Sequence, residues 1–286
     1  MDQKSLATLP AGYEHFTLWP EYHIEKICNP IFKFAIVETP QKHLEWRVWP
    51  FYFYEYRSEE EPIVDHRILP RGYLSVVIWR RPTHTLTKPR GWWRFSKRSA
   101  LRTGFATVDP SVDYVDTWSR SAKGELKKWI PLEKSGQYSV ARISWSDYKE
   151  PYLKSAAGKK IGFVTSGVLE KLSLVQPCPI EFLGVKKPND SRVYAGMAIV
   201  TSKINKSAYY LAGFFSDDTR HDPLMAGLFD QWFRRSQESG IRFLQFGIFW
   251  QPGKPSSWKG YSFFKAKFGA QFLDEAPTLY KFKIRF

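Results

Sequence analysis

The 286 residues fit one large domain or two of ordinary size, and 43% hydrophobic with 17% aromatic residues is enough to pack a core, which excludes wholesale disorder. The net charge of +15 draws polyanions: nucleic acid, anionic lipid or a phosphorylated small molecule. The two cysteines, Cys28 and Cys178, form no CxxC and the six histidines no HxxxH pair, so neither a metal site nor an oxidised scaffold is expected.

Residues 1–15 lack a basic start followed by an apolar run, so they do not read as a secretory signal. No stretch approaches the roughly 18–20 apolar residues of a membrane span. A cytoplasmic protein is expected, with any membrane contact made through a basic surface.

The first half reads as β-rich. Residues 31–38, 46–57 and 73–79 are aromatic and β-branched, with breaks at Glu59-Glu60-Glu61-Pro62 and Pro70-Arg71-Gly72. Residues 86–103 then carry six cations and no acid, with Trp92, Trp93 and Phe95 among them. Residues 113–130 form a helix by spacing, with Tyr114, Trp118, Ala122, Leu126 and Ile130 on one stripe. Asp113 caps its start and Pro131 ends it, while Arg120, Lys123, Lys127 and Lys128 lie on the other face. Residues 137–144 alternate as a strand. A short helix and a polar connection over 145–160 place a domain boundary between 157 and 158.

The second half opens with a short helix over 166–175. Strands over 180–185, 193–203 and 207–215 follow as a meander. Residues 223–238 form a helix with Leu224, Leu228 and Trp232 on one stripe, started by Asp222-Pro223 and stopped by Gly240. A buried strand over 241–250, a Pro/Gly/Ser loop and a short helix over 260–268 come next. The chain ends on a half-buried strand over 279–286, with Tyr280, Phe282, Ile284 and Phe286 facing one way and Lys281, Lys283 and Arg285 the other.

Meander, helix, strand, short helix and final strand is the order of a GNAT acyltransferase core. The stretch from Gly260 to Gly269 resembles the Gly-x-x-x-Phe-Lys-x-x-Phe-Gly motif of FemAB-like proteins, matching at Gly260, Phe264, Lys265, Phe268 and Gly269. The strand before it, often Tyr-Asp-Phe-Gly in that family, is Leu244-Gln245-Phe246-Gly247 here, with Gln245 in the place of Asp. The resemblance covers about residues 161–286 and, more weakly, 114–136. It implies an α/β (α+β) fold of two GNAT-like domains, 1–157 with a degenerate β-rich version and 158–286 with the acyltransferase. It also implies transfer of an aminoacyl or acyl group to an amine. In classical members aminoacyl-tRNA gives its aminoacyl group to a peptidoglycan precursor, and such an acceptor would be nucleotide- or lipid-linked. No bound cofactor is implied.

Attack of an amine on an ester or thioester builds charge on the carbonyl oxygen, which a placed cation stabilises. The motif implies Lys265 for this role, with Gln245, Gly260, Tyr261, Phe264, Phe268 and Gly269 around the substrate; a solvated helix lysine and ordinary packing aromatics are the bland alternative. Asp217, Asp218, His221 and Asp222 lie where the last meander strand meets the next helix. His221 has the intrinsic pKa of a general base, although the run also reads as helix capping. The junction lacks the glycine pair of a CoA pyrophosphate loop and carries three acids, which disfavours acyl-CoA as donor. Lys88, Arg90, Trp92, Trp93, Arg94, Lys97 and Arg98, extended by Lys123 and Lys127, have the cation-and-indole pattern that holds phosphates and stacks bases. A basic loop anchored by its indoles reads the same way. Two alternatives to the transferase stay open: a catalytically inactive GNAT-like protein that binds RNA or an anionic envelope precursor, and a CoA-dependent small-molecule N-acyltransferase.

Overall fold

The computed structural model describes residues 5–6, 33–37, 43–48, 50–57, 60–64, 71–80, 88–94, 102–174, 180–203, 206–274 and 276–284. In chain order these form β1 (Ser5–Leu6), β2 (Lys33–Val37), β3 (His43–Val48), β4 (Phe51–Arg57), β5 (Leu74–Arg80), β6 (Arg102–Thr107), α1 (Arg120–Lys134), β7 (Ser139–Ile143), α2 (Trp145–Lys154), α3 (Ala156–Leu174), β8 (Ile180–Lys186), β9 (Ala195–Ser202), β10 (Ser207–Phe215), α4 (Leu224–Glu238), β11 (Phe243–Phe249), α5 (Lys259–Ala266), β12 (Gln271–Asp274) and β13 (Leu279–Ile284). They divide into two interleaved compact units, one of residues 1–103, 248–258 and 272–286, the other of 104–247 and 259–271. The first break falls at 103/104 rather than 157/158. Gly158 lies inside α3, which packs on α2 within the second unit.

The first unit holds a five-stranded sheet in the order β13-β5-β4-β3-β2. Residues 46–57, expected as one strand, are two: β3 and β4 form an antiparallel hairpin with Val48 opposite Phe51. Pro50 sits at the turn, where a missing N–H costs no ladder bond. Tyr54, Tyr56, Val77, Trp79, Trp92 and Leu279 form the core on one face. β13 alternates as expected, but its lysine row shares that core face. Leu279, Lys281 and Lys283 stand opposite Trp79, Val77 and Ser75, while Phe282 and Ile284 are 40% and 57% exposed. Arg285 and Phe286 lie outside the described residues.

The second unit is built on strands in the order β6-β11-β10-β9-β8-β7. β8, β9 and β10 are the antiparallel meander read from the sequence. α4 then carries the chain across to β11, which pairs parallel with β10. The helix expected over 113–130 is two elements. Asp113 caps a 3-10 turn, Tyr114–Thr117, and Ser119 accepts from the Ala122 N–H to start α1. Pro131 does not end α1. Its ring removes only its own donor, and the Ser135 N–H bonds the Pro131 carbonyl at 3.0 Å to close a further turn. Residues 145–160 are α2 and the start of α3, not a polar connection, and α3 begins ten residues before the helix expected at 166.

α1 packs on α4 through a close approach. A Cβ on Gly227 would stand 2.3 Å from the Trp129 ring, which is fully buried. An indole wedged between two helices cannot swing aside. Gly227→Ala is therefore expected to lower unfolding stability by about 1–3 kcal/mol, despite the helix propensity that alanine adds. An unchanged denaturant midpoint would refute the tight contact.

Candidate functional site

The short helix α5 is pinned from several sides within the second unit. Phe268 lies flat on Phe229, with ring centroids 4.0 Å apart, and Trp118 meets Phe268 edge-on at 4.9 Å. Phe264 contacts Phe229 edge-on at 5.8 Å. The Lys267 carbonyl accepts from the Ser119 N–H at 2.8 Å, and the Lys267 ammonium is 3.1 Å from Glu125. Gly269 leaves the helix at φ 75°, where a Cβ would stand 2.4 Å from the Thr117 hydroxyl. With Phe264 and Phe268 held this way, the side chain between them is turned inward.

That side chain is Lys265, only 2% exposed. Its ammonium donates to the Phe246 carbonyl at 2.5 Å and lies 4.4 Å from the centre of the Tyr261 ring. Burial among aromatic rings penalises the charged form and brings its pKa down to about 7. Near neutrality the group is therefore divided between ammonium and amine.

Phe246 sits where β10 and β11 part. Their parallel pairing covers Ser207–Tyr209 against Phe243–Gln245, and β10 carries an irregularity between Tyr210 and Ala212. Gly247 follows at φ 72°, and a Cβ there would stand 2.7 Å from the Tyr209 hydroxyl. Tyr210 stacks on Phe229 at 5.8 Å, and its hydroxyl is a hydrogen-bond partner of the Tyr261 hydroxyl. The outer flank of Tyr261 is open, at 43% exposure, while its hydroxyl end lies inside, where burial and the neighbouring Tyr210 push its pKa well up. The Tyr148 hydroxyl is buried in the same group with no hydrogen-bond partner, and burial raises its pKa too. The result is a cluster of phenols beside one titratable lysine.

The sequence motif located Lys265, Tyr261, Phe264, Phe268 and Gly269, and the structure brings these together; Gly260 is exposed in the first turn of α5. Gln245 is buried on β11 beside Phe246, on the other strand face by alternation. Tyr209, Tyr210, Tyr148 and the Phe246 carbonyl were missed. Their only sequence signal is the Tyr-Tyr pair near the end of the meander, which reads equally well as strand packing. His221 is exposed in the turn before α4, and no described contact joins it to Lys265. The acids beside it serve local structure: Asp218 is 3.0 Å from Arg192, and Asp222 accepts from the Tyr138 hydroxyl at 2.8 Å.

The basic candidates divide. Trp92 is buried against Trp79 at 5.2 Å, and its indole donates to Glu61 at 2.7 Å, so it cannot stack on a base. Lys88, Arg90, Trp93 and Arg94 are exposed, and Lys97 and Arg98 lie outside the described residues. On α1, Lys127 and Lys128 are exposed, while Lys123 is half-buried and 3.5 Å from Asp116. Among the described residues no group of His, Cys, Asp and Glu is placed to hold a metal ion, and no helix is long and apolar enough to cross a membrane.

No family profile matches the sequence, and no curated protein does. Solved structures share its fold. FemX superposes with a TM-score of 0.59 at 12% identity, over 87% of this chain and 88% of that one. L-PGS from Bacillus licheniformis gives 0.56 at 14% identity, over 88% and 84%. The C-terminal domain of a chain assigned as a lysylphosphatidylglycerol synthetase from Agrobacterium fabrum gives 0.51 at 12% identity, over 87% and 84%. At these identities the likeness establishes the fold, which is the FemAB-like GNAT fold.

Proposed function

We propose that this fold works here as an acyltransferase that moves an aminoacyl or acyl group from an ester donor onto an amine. The observation that carries the reading is Lys265: a buried lysine with a pKa of about 7, at the point where two sheet strands part. The amine nitrogen attacks the carbonyl carbon, and the carbonyl π pair moves onto oxygen. The Lys265 ammonium donates a hydrogen bond to that oxygen in a site of low dielectric, where such a bond is worth far more than in water. Collapse expels the alcohol. The proton lost by the attacking nitrogen ends on the leaving oxygen, and a lysine poised near neutrality suits that exchange.

The start of α4 favours an ester over acyl-CoA. Asp217, Asp218 and Asp222 crowd it, and Pro223 offers no side-chain cap. A pyrophosphate would meet negative charge where a CoA-binding junction presents backbone N–H groups. Aminoacyl-tRNA fits this preference and the net charge of +15. A nucleotide- or lipid-linked precursor bearing an amine fits as acceptor. The test is parallel binding of charged tRNA, uncharged tRNA and acetyl-CoA at two salt concentrations. Tight tRNA binding that weakens steeply with salt, with no acetyl-CoA binding, is expected. Acetyl-CoA binding without tRNA binding would overturn the donor assignment.

A further inference from the structure

The lysine row of β13 stands where a sheet normally keeps apolar side chains. Lys281 and Lys283 share the face that carries Tyr54, Val77, Trp79 and Trp92, while Phe282 and Ile284 point the other way into solvent. A strand that turns its cations to the core side and its large apolar residues outward breaks the local rule, and such breaks concentrate at sites of function. The cross-strand registers put Ser75 between Tyr52 of β4 and Lys283 of β13. Strands lie about 4.8 Å apart, so the three side chains form one short row. The Ser75 hydroxyl is fully buried and has no hydrogen-bond partner. Two residues back along β13, on the same face, the Lys281 ammonium lies 5.1 Å from the centre of the Trp92 ring and 3.5 Å from Glu61. Glu45 already accepts from the Tyr52 hydroxyl at 2.9 Å.

We propose that the Tyr52–Ser75–Lys283 row, with Lys281 beside it, binds the phosphoryl group of a phosphorylated ligand. Burial and the neighbouring Lys281 charge both lower the Lys283 pKa, and an anion set between the two lysines relieves both penalties. The Ser75 hydroxyl supplies the directional donor that a bare pair of cations lacks. This site is independent of the chemistry at Lys265: a chain with no transferase activity would still bind phosphate here.

The experiment titrates the full-length protein with inorganic phosphate, a nucleoside diphosphate and vesicles containing phosphatidylglycerol, read by calorimetry and thermal melting. Saturable binding of the diphosphate or of the vesicles is expected, the first placing the phosphoryl group on a nucleotide and the second on a lipid. Lys283→Met should weaken it at least about tenfold and Ser75→Ala about threefold, the scale of one charged and one neutral hydrogen bond. Lys281→Met provides a second probe should Lys283→Met fold poorly. Lys134→Met, at the exposed C-terminal end of α1, should bind as the parent does. Unchanged affinity in the β13 variants, or an equal loss in the α1 variant, would mean general attraction to a basic protein and would overturn the assignment.

Discussion

Lys265→Met is expected to lower kcat/KM for acyl transfer by about 10²–10³, the scale measured when one oxyanion donor is removed. The parent's rate should fall as pH rises through about 7, because the ammonium is the donating form. Folding stability should move the other way. The folded-state pKa lies below the ordinary lysine value of 10.5, so between pH 7 and about 10 the unfolded chain binds more protons. Stability therefore rises with pH across that window, and the penalty for burying the charge is fully present below 7. A shift of this size corresponds to roughly 3–5 kcal/mol. Lys265→Met has no charge to bury, so it should be at least as stable as the parent at pH 6, and its advantage should disappear by pH 10. Chemical denaturation at the two pH values separates this result from misfolding. A methionine variant that loses activity and is also markedly less stable at pH 6 would remove the basis for a catalytic assignment.

Phe229→Ala is expected to cost about 3–5 kcal/mol. Phe229 is fully buried on α4 and is the ring on which Phe268, Phe264, Tyr210 and Phe246 converge. Its loss removes the stack that seats α5, so the variant should also release Lys265 toward water and return its pKa toward 10.5. Phe229→Leu keeps most of the volume and should restore much of the stability, without the flat stack. Urea unfolding of both variants tests the order. A small loss in Phe229→Ala would show that α5 is held by its backbone contacts alone.

Residues 180–269 were legible because their signals agree. The three strand runs of 180–215, the 3.6-residue stripe of α4 with Gly240 behind it, and the spacing from Gly260 to Gly269 each predict the element that forms. Where prediction missed, tertiary contacts had decided. Pro131 reads as a stop, yet one absent N–H does not end a helix whose Leu126 and Trp129 are already buried. Trp92 looked like a base-stacking ring, because nothing in the sequence shows that Trp79 and Glu61 would claim it. For Lys265 the motif pointed to the position, but the pKa comes from burial, which no local signal in the sequence shows. For β13 the alternation was correct and the choice of face was not, since period alone cannot say which side of a strand meets the core.

The interleaving of the two units also bears on how the chain is made. β5 is complete by residue 80, but its antiparallel partner β13 lies at residues 279–284. During translation the edge of β5 must wait while about 200 further residues leave the ribosome, at about 5–20 residues per second. Throughout that interval the tyrosine-rich hairpin of β3 and β4 has a sheet with one border still open. An open border of this kind is a template for pairing with other chains. A chain cut short before β13 leaves the border of β5 unpaired and is expected to aggregate.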